Sequence, residues 1–299
     1  MLSTFFSWFL IKKFLPKFEK YLIDEPNKRS SHIKPTPSGG GLVFVILGTI
    51  SSIILGNWLI TLCLPIAIVG FIDDKYRLPS LFRYFVQVLT VSALIFQTNF
   101  NSFANSDFAV LYFIFYLFLG TAIINFINFM DGVDGLVSGC VLIIFLSFFF
   151  NDNFYLAGLL GALIGFLIWN WQPAKIFMGD IGSTFLGTVY LIPLFSSNSK
   201  LDLLTSLLIA LPLLGDAFFC VIRRFINKEP IFKAHKKHLY QRLNQAGISH
   251  SNVSMLYIGS SSLLLLSNIF IGQIGLIITS FIIFMFGVFL DNKVALNFK

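Results

Sequence analysis

Charge is the scarcest commodity in this chain. Only 12% of its 299 residues are Asp, Glu, Lys or Arg, against roughly a quarter in a soluble globular domain. That deficit excludes an ordinary water-soluble fold. Cysteine is nearly absent too. Cys63, Cys140 and Cys220 all fall inside apolar runs without disulfide or metal spacing, so a disulfide scaffold is excluded and the three read as small core hydrophobes. There is no internal repeat, low-complexity tract or linker, so residues 1–299 are expected to form a single integral-membrane domain. The first apolar run has no basic residue before it and no small-residue cleavage site, which fits an anchor better than a removable signal. What remains is hydrophobic: 56% apolar residues and a mean hydropathy of +0.83.

A bilayer core about 30 Å thick takes roughly 17–25 apolar residues per helix. Apolar runs lie near 2–16, 41–57, 58–72, 82–98, 108–124, 134–150, 154–170, 183–196, 203–222, 253–270 and 273–290. The expected fold is therefore all-α, a polytopic membrane bundle of about 10–11 transmembrane helices. Pro65, Pro193 and Pro212 are expected to kink their helices rather than end them. Gly158, Gly161 and Gly165 have the spacing of close helix packing.

Basic residues set the orientation. With an outside N-terminus, the inward loops hold Lys17, Lys20, Lys28, Arg29 and Lys34, then Lys75, Arg77 and Arg83, then Lys175, then the Arg223–Arg242 region, then Lys293 and Lys299. Lys200 is the one basic residue assigned to an outward loop. The net charge of +7 thus gathers on the cytoplasmic face, where anionic lipid heads and nucleotides are found.

The polar motifs sort to that same face. Asn125, Asn128, Asp131 and Asp134 recur every third residue at the end of an apolar run. On a helix, each such step turns the side chain by only about 60°, so the four drift slowly along one face. Carboxylates and amides beside a membrane-length segment need a counter-charge, and a divalent cation with its anionic ligand supplies one. The other motifs are Gly70-Phe-Ile-Asp-Asp-Lys75, Phe177-Met-Gly-Asp-Ile-Gly-Ser183, the Ser30–Gly41 stretch and His235-Lys-Lys-His238-Leu-Tyr-Gln-Arg242.

Each motif has a plainer reading. Asp73 and Asp74 could end a helix beside Lys75, although paired carboxylates at a helix C-terminus are unfavourable without a cation. Asn125–Asp134 could be a cap and a turn. Asp180 could be an N-cap. Gly39–Gly41 reads either as a flexible entry to the second span or as N–H groups cradling a phosphate. The His235–Arg242 stretch could lie along lipid heads. Its lysines suit a phosphate better than a metal on His235 and His238.

Together the motifs resemble the polyprenyl-phosphate N-acetylhexosamine-1-phosphate transferase family, over roughly Asp24 to His250. The departure of His-Lys-Lys-His from three consecutive histidines, and the Arg-Ser-Ser-His and Pro-Thr-Pro-Ser-Gly-Gly-Gly runs, point to the branch that initiates O-antigen (lipopolysaccharide) and capsule chains. The resemblance implies a multi-pass enzyme of the bacterial inner membrane with a cytoplasmic active site. It would move an N-acetylamino-sugar 1-phosphate from a UDP-sugar to undecaprenyl phosphate with Mg²⁺, releasing UMP. It further implies Asn128 and Asp180 as metal ligands. Asp73, Asp74 and Asp180 would be the catalytic set, with the Asp73–Asp74 pair organising the lipid phosphate or acting as base. Asn125, Asp131 and Asp134 would shape the nucleotide pocket and outer metal shell. Lys75, His235, His238 and Arg242 would contact substrate, the last three at the donor's diphosphate or sugar.

Beyond membrane lipid and the two substrates, no nucleic-acid partner is expected, and a homodimer is compatible with the resemblance. The rival reading is a membrane transporter of an anionic substrate, which would carry its polar groups near mid-membrane on broken helices. A CDP-alcohol phosphatidyltransferase needs Asp-Gly followed by Ala-Arg and then two Asp at spacings of four, which Asp134-Gly-Leu-Val-Ser-Gly-Cys-Val lacks, and a lipid-phosphate phosphatase would face its motifs outward.

Overall fold

The computed structural model describes residues 1–26, 31–32, 34–98, 107–197, 199–230 and 235–298. Lys28, Arg29, Ser30 and Lys299 of the motifs and basic loops lie outside the described residues, as do residues 231–234 within the long basic loop. The chain folds as an all-α bundle. In order the helices are α1 (Leu2–Tyr21), α2 (Gly41–Ile54), α3 (Leu64–Tyr76), α4 (Ser80–Thr98), α5 (Ala109–Phe129), α6 (Leu136–Phe150) and α7 (Ala157–Asn170). They continue as α8 (Gly179–Phe195), α9 (Lys200–Ile209), α10 (Leu211–Ile226), α11 (Leu239–Gln245), α12 (His250–Ile271) and α13 (Gln273–Lys293).

All eleven apolar runs of the sequence coincide with helices, but they do not make eleven equal spans. By length and composition, α4, α5, α12 and α13 can each cross a membrane alone. The run at 203–222 is broken, because α9 and α10 meet at 81° and together can serve as one further span. Pro212 sits at the start of α10 and Pro65 at the start of α3, where the missing N–H costs nothing; of these three, Pro193 alone lies inside its helix, as Pro16 does in α1. The apolar helices α2, α6, α7 and α8 have no more than 17 residues each. They are shorter than the helices that can cross alone; α8 is enclosed by protein, whereas α2 and α7 keep exposed apolar residues such as Ile46, Ile50, Ile164 and Ile168 on one side.

α8 is the axis. Every residue from Ile181 to Phe195 is buried, as a helix that is apolar or small all round must be. α3, α5, α2 and α4 pack around it. The close approaches rest on glycine: a Cβ on Gly70 would lie 2.6 Å from the Asp180 carbonyl oxygen, and one on Gly187 would lie 2.9 Å from Ile124 Cα. α7 shows the expected small-residue packing. Gly158 faces Ser51 of α2, while Gly161 and Gly165 face Ser3, Thr4 and Ser7 of α1. Ser3 and Ser7 donate to the Gly158 and Ala162 carbonyls at 2.6 and 2.8 Å.

The Gly39–Gly41 run is neither a flexible entry nor a phosphate cradle. The Gly40 and Gly41 N–H groups donate to the Phe177 and Met178 carbonyls at 2.9 and 3.1 Å. A Cβ on Gly41 would stand 2.5 Å from Gly182 Cα. A short antiparallel pair, β1 (Ile23–Asp24) with β2 (Thr36–Pro37), leads into this seam. The glycines let the start of α2 lie backbone-to-backbone on the start of α8, which fixes the end of α8 that carries Asp180.

Candidate active site

The C-terminal ends of α3 and α5 meet the N-terminal ends of α4 and α8, joined through Asp73, Asn128, Arg83 and Asp180. Four motif carboxylates and amides therefore gather from parts of the sequence 100 residues apart. Asp180, in the first turn of α8, is the hub. Its Oδ1 accepts from Asn128 Nδ2 at 2.9 Å and its Oδ2 accepts from Arg83 at 3.0 Å. The same Arg83 nitrogen donates to Asp73 Oδ2 at 2.6 Å. Asp73 Oδ1 accepts the Leu78 N–H at 2.5 Å, so Asp73 closes the turn between α3 and α4 while it faces Asp180 through one guanidinium.

Asp74 has a different duty. Its Oδ1 accepts the Asp180 N–H at 2.8 Å, and its Oδ2 faces the Ile181 N–H at 3.4 Å. It caps α8 from a neighbouring helix, satisfying N–H groups that have no intrahelical partner. Gly179 makes room for it: φ is +72°, and a Cβ there would stand 2.3 Å from Asp74 Oδ2. Asp74→Ala is expected to lower stability by about 0.5–2 kcal/mol, the range for a lost cap, while Asp74→Asn recovers part of it. Thermal unfolding of the purified protein reads the difference.

The four residues spaced by three separate once the helix is drawn. Asn125 turns inward: its Nδ2 donates to Gln87 Oε1 at 2.8 Å and to the Thr121 carbonyl at 2.7 Å, clasping α5 to α4. Asn128 spans Asp180 and Ser183, donating to Ser183 Oγ at 2.9 Å. α5 ends at Phe129, so Asp131 and Asp134 lie on a turn and not on the helix face. Asp134 is buried and fully used. It accepts the Ala174 N–H at 3.1 Å and lies 3.2 Å from His250 Nδ1, while its carbonyl accepts Ser254 Oγ at 2.7 Å. Asn170 Oδ1 accepts the Gly135 N–H at 3.1 Å and the Ser138 hydroxyl at 2.9 Å, which fixes the same turn. Asp131 is half-buried, and burial, followed by the nearby Asp180 and Asp134, pushes its carboxyl up to about 8. Such a carboxylate lowers its free energy by gaining a cation.

The set therefore holds Asp73 and Asp180 on the guanidinium of Arg83, with Asp74 on the Asp180 N–H and Asp131 near Asp180. The donors are hard oxygens, the kind Mg²⁺ takes. Rotating the Asn128 amide would turn its oxygen toward Asp180, an arrangement that a cation between the two would satisfy. The residues present thus fit a divalent ion of that class.

The basic loop packs beside this cluster. Tyr240 of α11 donates its hydroxyl to the Phe129 carbonyl at 3.0 Å and lies under Gly132. Asp216, buried on α10, organises α11: it accepts the Leu239 and Tyr240 N–H groups at 2.7 and 3.0 Å and the Tyr257 hydroxyl at 2.7 Å. Arg242 is buried as a latch, donating to the Lys237 and Leu296 carbonyls at 3.2 and 2.8 Å and pairing with Asp291. His235 and His238 stack at 4.9 Å. Lys75 stays outside the cluster, over the Tyr76 ring at 4.9 Å. Sequence reasoning missed Arg83 as a site residue, along with Ser183, Asn170, Asp216 and His250. Arg83 had a signal, as the basic residue that opens the span after the Asp pair.

Burial, first of all, lowers both imidazoles to about 4, so they are neutral at pH 7. A lowered histidine contributes stability that is complete above its unfolded value of about 6.5 and is lost as pH falls toward the folded value. For His238, which is 3% exposed, that loss approaches about 1.4 kcal/mol per pH unit between about pH 6 and pH 4.5. His238→Gln is expected to flatten the fall of the melting temperature across that window.

The sequence model described as glycosyl transferase family 4 matches residues 57–197. That stretch carries Asp73, Asp74, Arg83, the Asn125–Asp134 motif and Asp180, and stops short of the basic loop. A probable undecaprenyl-phosphate N-acetylglucosaminyl 1-phosphate transferase of Bacillus subtilis is 32% identical over 268 residues, covering 79% of this chain and 74% of its own. A decaprenyl-phosphate N-acetylglucosaminephosphotransferase of Mycobacterium leprae is 29% identical, covering 77% and 72%. A phospho-N-acetylmuramoyl-pentapeptide-transferase of Listeria monocytogenes is 31% identical, covering 60% and 65%. With its all-α membrane bundle and with the matched segment carrying the clustered carboxylates, the chain belongs to glycosyl transferase family 4.

Proposed function

We propose that the protein transfers an N-acetylamino-sugar 1-phosphate from a UDP-sugar to undecaprenyl phosphate at the cytoplasmic face of the bacterial inner membrane, initiating a cell-surface glycan such as O-antigen. An oxygen of the lipid phosphate attacks the sugar-proximal phosphorus. The bond from that phosphorus to the bridging oxygen breaks, and UMP leaves with the electron pair. The products are undecaprenyl-pyrophosphoryl-sugar and UMP.

The observation that carries this reading is Arg83 held between Asp73 and Asp180, with Asn128 on the other oxygen of Asp180. Phosphoryl transfer asks for positioning and charge neutralisation more than for covalent help. Asp180 and Asn128 would hold Mg²⁺, with Asp131 facing them; the ion would supply charge neutralisation on the donor's diphosphate. Arg83 fixes the Asp73 carboxylate at a set distance from Asp180. A phosphate monoester has a second pKa of about 6 and is mostly a dianion at pH 7, so Asp73 need only orient the acceptor. Asp74 and the Gly41–Gly182 contact act through the position of α8. Asp134, His250 and Asn170 hold the turn that presents Asp131. His238 and His235 lie beside that turn as neutral donors or acceptors for the sugar-nucleotide, and Arg242 braces them from behind.

Among the described residues, the bend between α9 and α10 is the one broken helix pair a transporter would share, and its nearest charged residue, Asp216, is already engaged by the Leu239 and Tyr240 N–H groups and the Tyr257 hydroxyl. The reading is tested by UMP release from UDP-GlcNAc and a panel of UDP-N-acetylamino sugars, with undecaprenyl phosphate and Mg²⁺. Release that needs all three components is expected. Absence of UMP across the panel, or release indifferent to the lipid, overturns it.

A further inference from the structure

α10 has two apolar flanks. One packs on α5, where the Phe218 and Phe126 rings lie 6.5 Å apart. The other, a stripe of Leu211, Gly215, Phe219 and Arg223, borders a cavity of about 270 Å³. Leu256 of α12 and Ile283 of α13 form the facing wall. Phe219 and Phe284 on its rim are 44% and 37% exposed, so the cavity is a groove open to the bilayer. Glycine keeps it open. At Gly41, Gly70 and Gly187 the missing side chain lets helices touch. Here a Cβ on Gly287 of α13 would meet nothing within 4 Å, and one on Gly215 only Leu211 of its own helix. We propose that this groove binds one anionic glycerophospholipid, its phosphodiester on Arg223 and Lys237 and one acyl chain along α10 between Gly215 and Gly287.

Dimensions and charge both fit such an occupant. From Leu211 to Arg223 the groove follows α10 for about 18 Å, at about 1.5 Å per residue. That is close to one leaflet of a hydrocarbon core about 30 Å thick. The Arg223 end is basic and reaches water, with the Arg223 and Lys237 side chains 44% and 24% exposed. Together with the buried Arg242 they crowd the ring of Phe298, at 5.2, 5.3 and 5.4 Å from its centroid. Like charges so close are stabilised by an anion among them. Arg223, Arg224, Lys237 and Arg242 face Glu229, Asp291 and Asp216 there. Four cations against three carboxylates leave one positive charge, the complement of a phosphodiester. Arg223 spends two N–H groups on Asp291 and Lys237 one on Glu229, so both keep donors for phosphate oxygens. Basic pockets between membrane helices recognise lipid head groups in this way.

The groove is separate from the carboxylate cluster around Asp180. Tyr240 and Arg242 lie two residues apart on α11 and so point to opposite sides of it. Tyr240 turns to the Phe129 carbonyl beside the Asp131 turn, and Arg242 turns to Leu296 and Asp291 at the mouth of the groove. A helix about 10 Å across thus stands between the two, and a phosphate on Arg223 is held away from Asp180 and Arg83. The occupant is therefore a resident membrane lipid and not a lipid that reacts. A bound chain would fill the space between α10 and α13, and its head group would tie the end of α10 to Lys237.

Native mass spectrometry of the full chain in detergent tests this, with phosphatidylglycerol as the probe and phosphatidylcholine as the zwitterionic control. One phosphatidylglycerol per chain is expected to stay bound, roughly fivefold or more tighter than phosphatidylcholine, the factor one cation contributes near a lipid surface. Excess undecaprenyl phosphate should leave it in place. These measurements use the unaltered chain and need no variant. Arg223→Gln should weaken phosphatidylglycerol by a similar factor, roughly fivefold. Gly287→Leu should abolish its retention by filling the groove. Leucine is the better helix former, so the melting temperature of that variant in detergent should not fall. No retained phosphatidylglycerol, equal retention of phosphatidylcholine, parental retention in either variant, or one-for-one displacement by undecaprenyl phosphate overturns the proposal. None of these readouts depends on transferase activity.

Discussion

Asp180→Asn is expected to reduce kcat by roughly 10²–10³-fold, the cost of removing one preorganised group that stabilises transition-state charge. The substitution keeps the shape of the side chain and both of its contact positions, but removes its charge. Arg83 loses half of its counter-charge and Asn128 faces an amide instead of a carboxylate. Two readouts separate ligation from mere packing. The Mg²⁺ concentration for half-maximal UMP release should rise in the variant. The melting temperature without Mg²⁺ should stay near that of the parent, because the α8 cap at Asp74 binds the backbone of residue 180 and not its side chain. Unchanged Mg²⁺ dependence would remove Asp180 from the metal site and leave it as a partner of Arg83 alone.

Arg83→Gln should split the parameters in the opposite sense. The guanidinium competes with any cation for Asp180 Oδ2, so its loss should lower the Mg²⁺ concentration for half-maximal activity. It also frees Asp73, which the arginine holds at 2.6 Å. A reacting group misplaced by about 1 Å can cost about 10²-fold, so kcat should fall by that order even at saturating Mg²⁺. Arg83→Lys is not expected to rescue it. A single ammonium is a compact point charge on a flexible stem and does not reproduce the planar fork. The pair is 35% and 12% exposed, so the effect on stability is modest and activity is the better readout. In the double variant with Asp73→Asn, the losses should be far from additive, since the two residues act as a unit.

These two residues also mark how far the sequence could be read. Asp180 was legible because Gly-Asp-Ile-Gly-Ser interrupts an apolar chain with an expensive carboxylate. Arg83 was visible only as one of several inward basic residues. Its link to Asp73 and Asp180 crosses from α4 to α3 and α8, and no local pattern encodes a contact between residues 97 positions apart. Asn125 shows the converse. Its spacing with Asn128 is helical as expected, yet Gln87 on α4 claims it. Asp131 and Asp134 looked equivalent by spacing. The end of α5 at Phe129 breaks that equivalence, because beyond it the three-residue period no longer means one face.

The sequence by itself determined the class of the molecule. Scarce charge and long apolar runs leave no fold but a helical membrane bundle, since backbone polar groups in lipid must be satisfied within each segment. Basic residues and costly polar motifs sorted to one end, and that asymmetry already pointed to the end where the carboxylates gather around Asp180 and Arg83. Tertiary structure alone decided which of those motif residues work together. The Gly41–Gly182 and Gly70–Asp180 approaches set the depth of α8. The bend before Pro212 aims α10 so that Asp216 can hold α11. Burial of Arg242 under Leu296 and Asp291 makes it a brace. The physical reason is common to all of these: composition and periodicity carry the cost of each side chain in lipid, whereas partnership depends on distances between helices, which only packing sets.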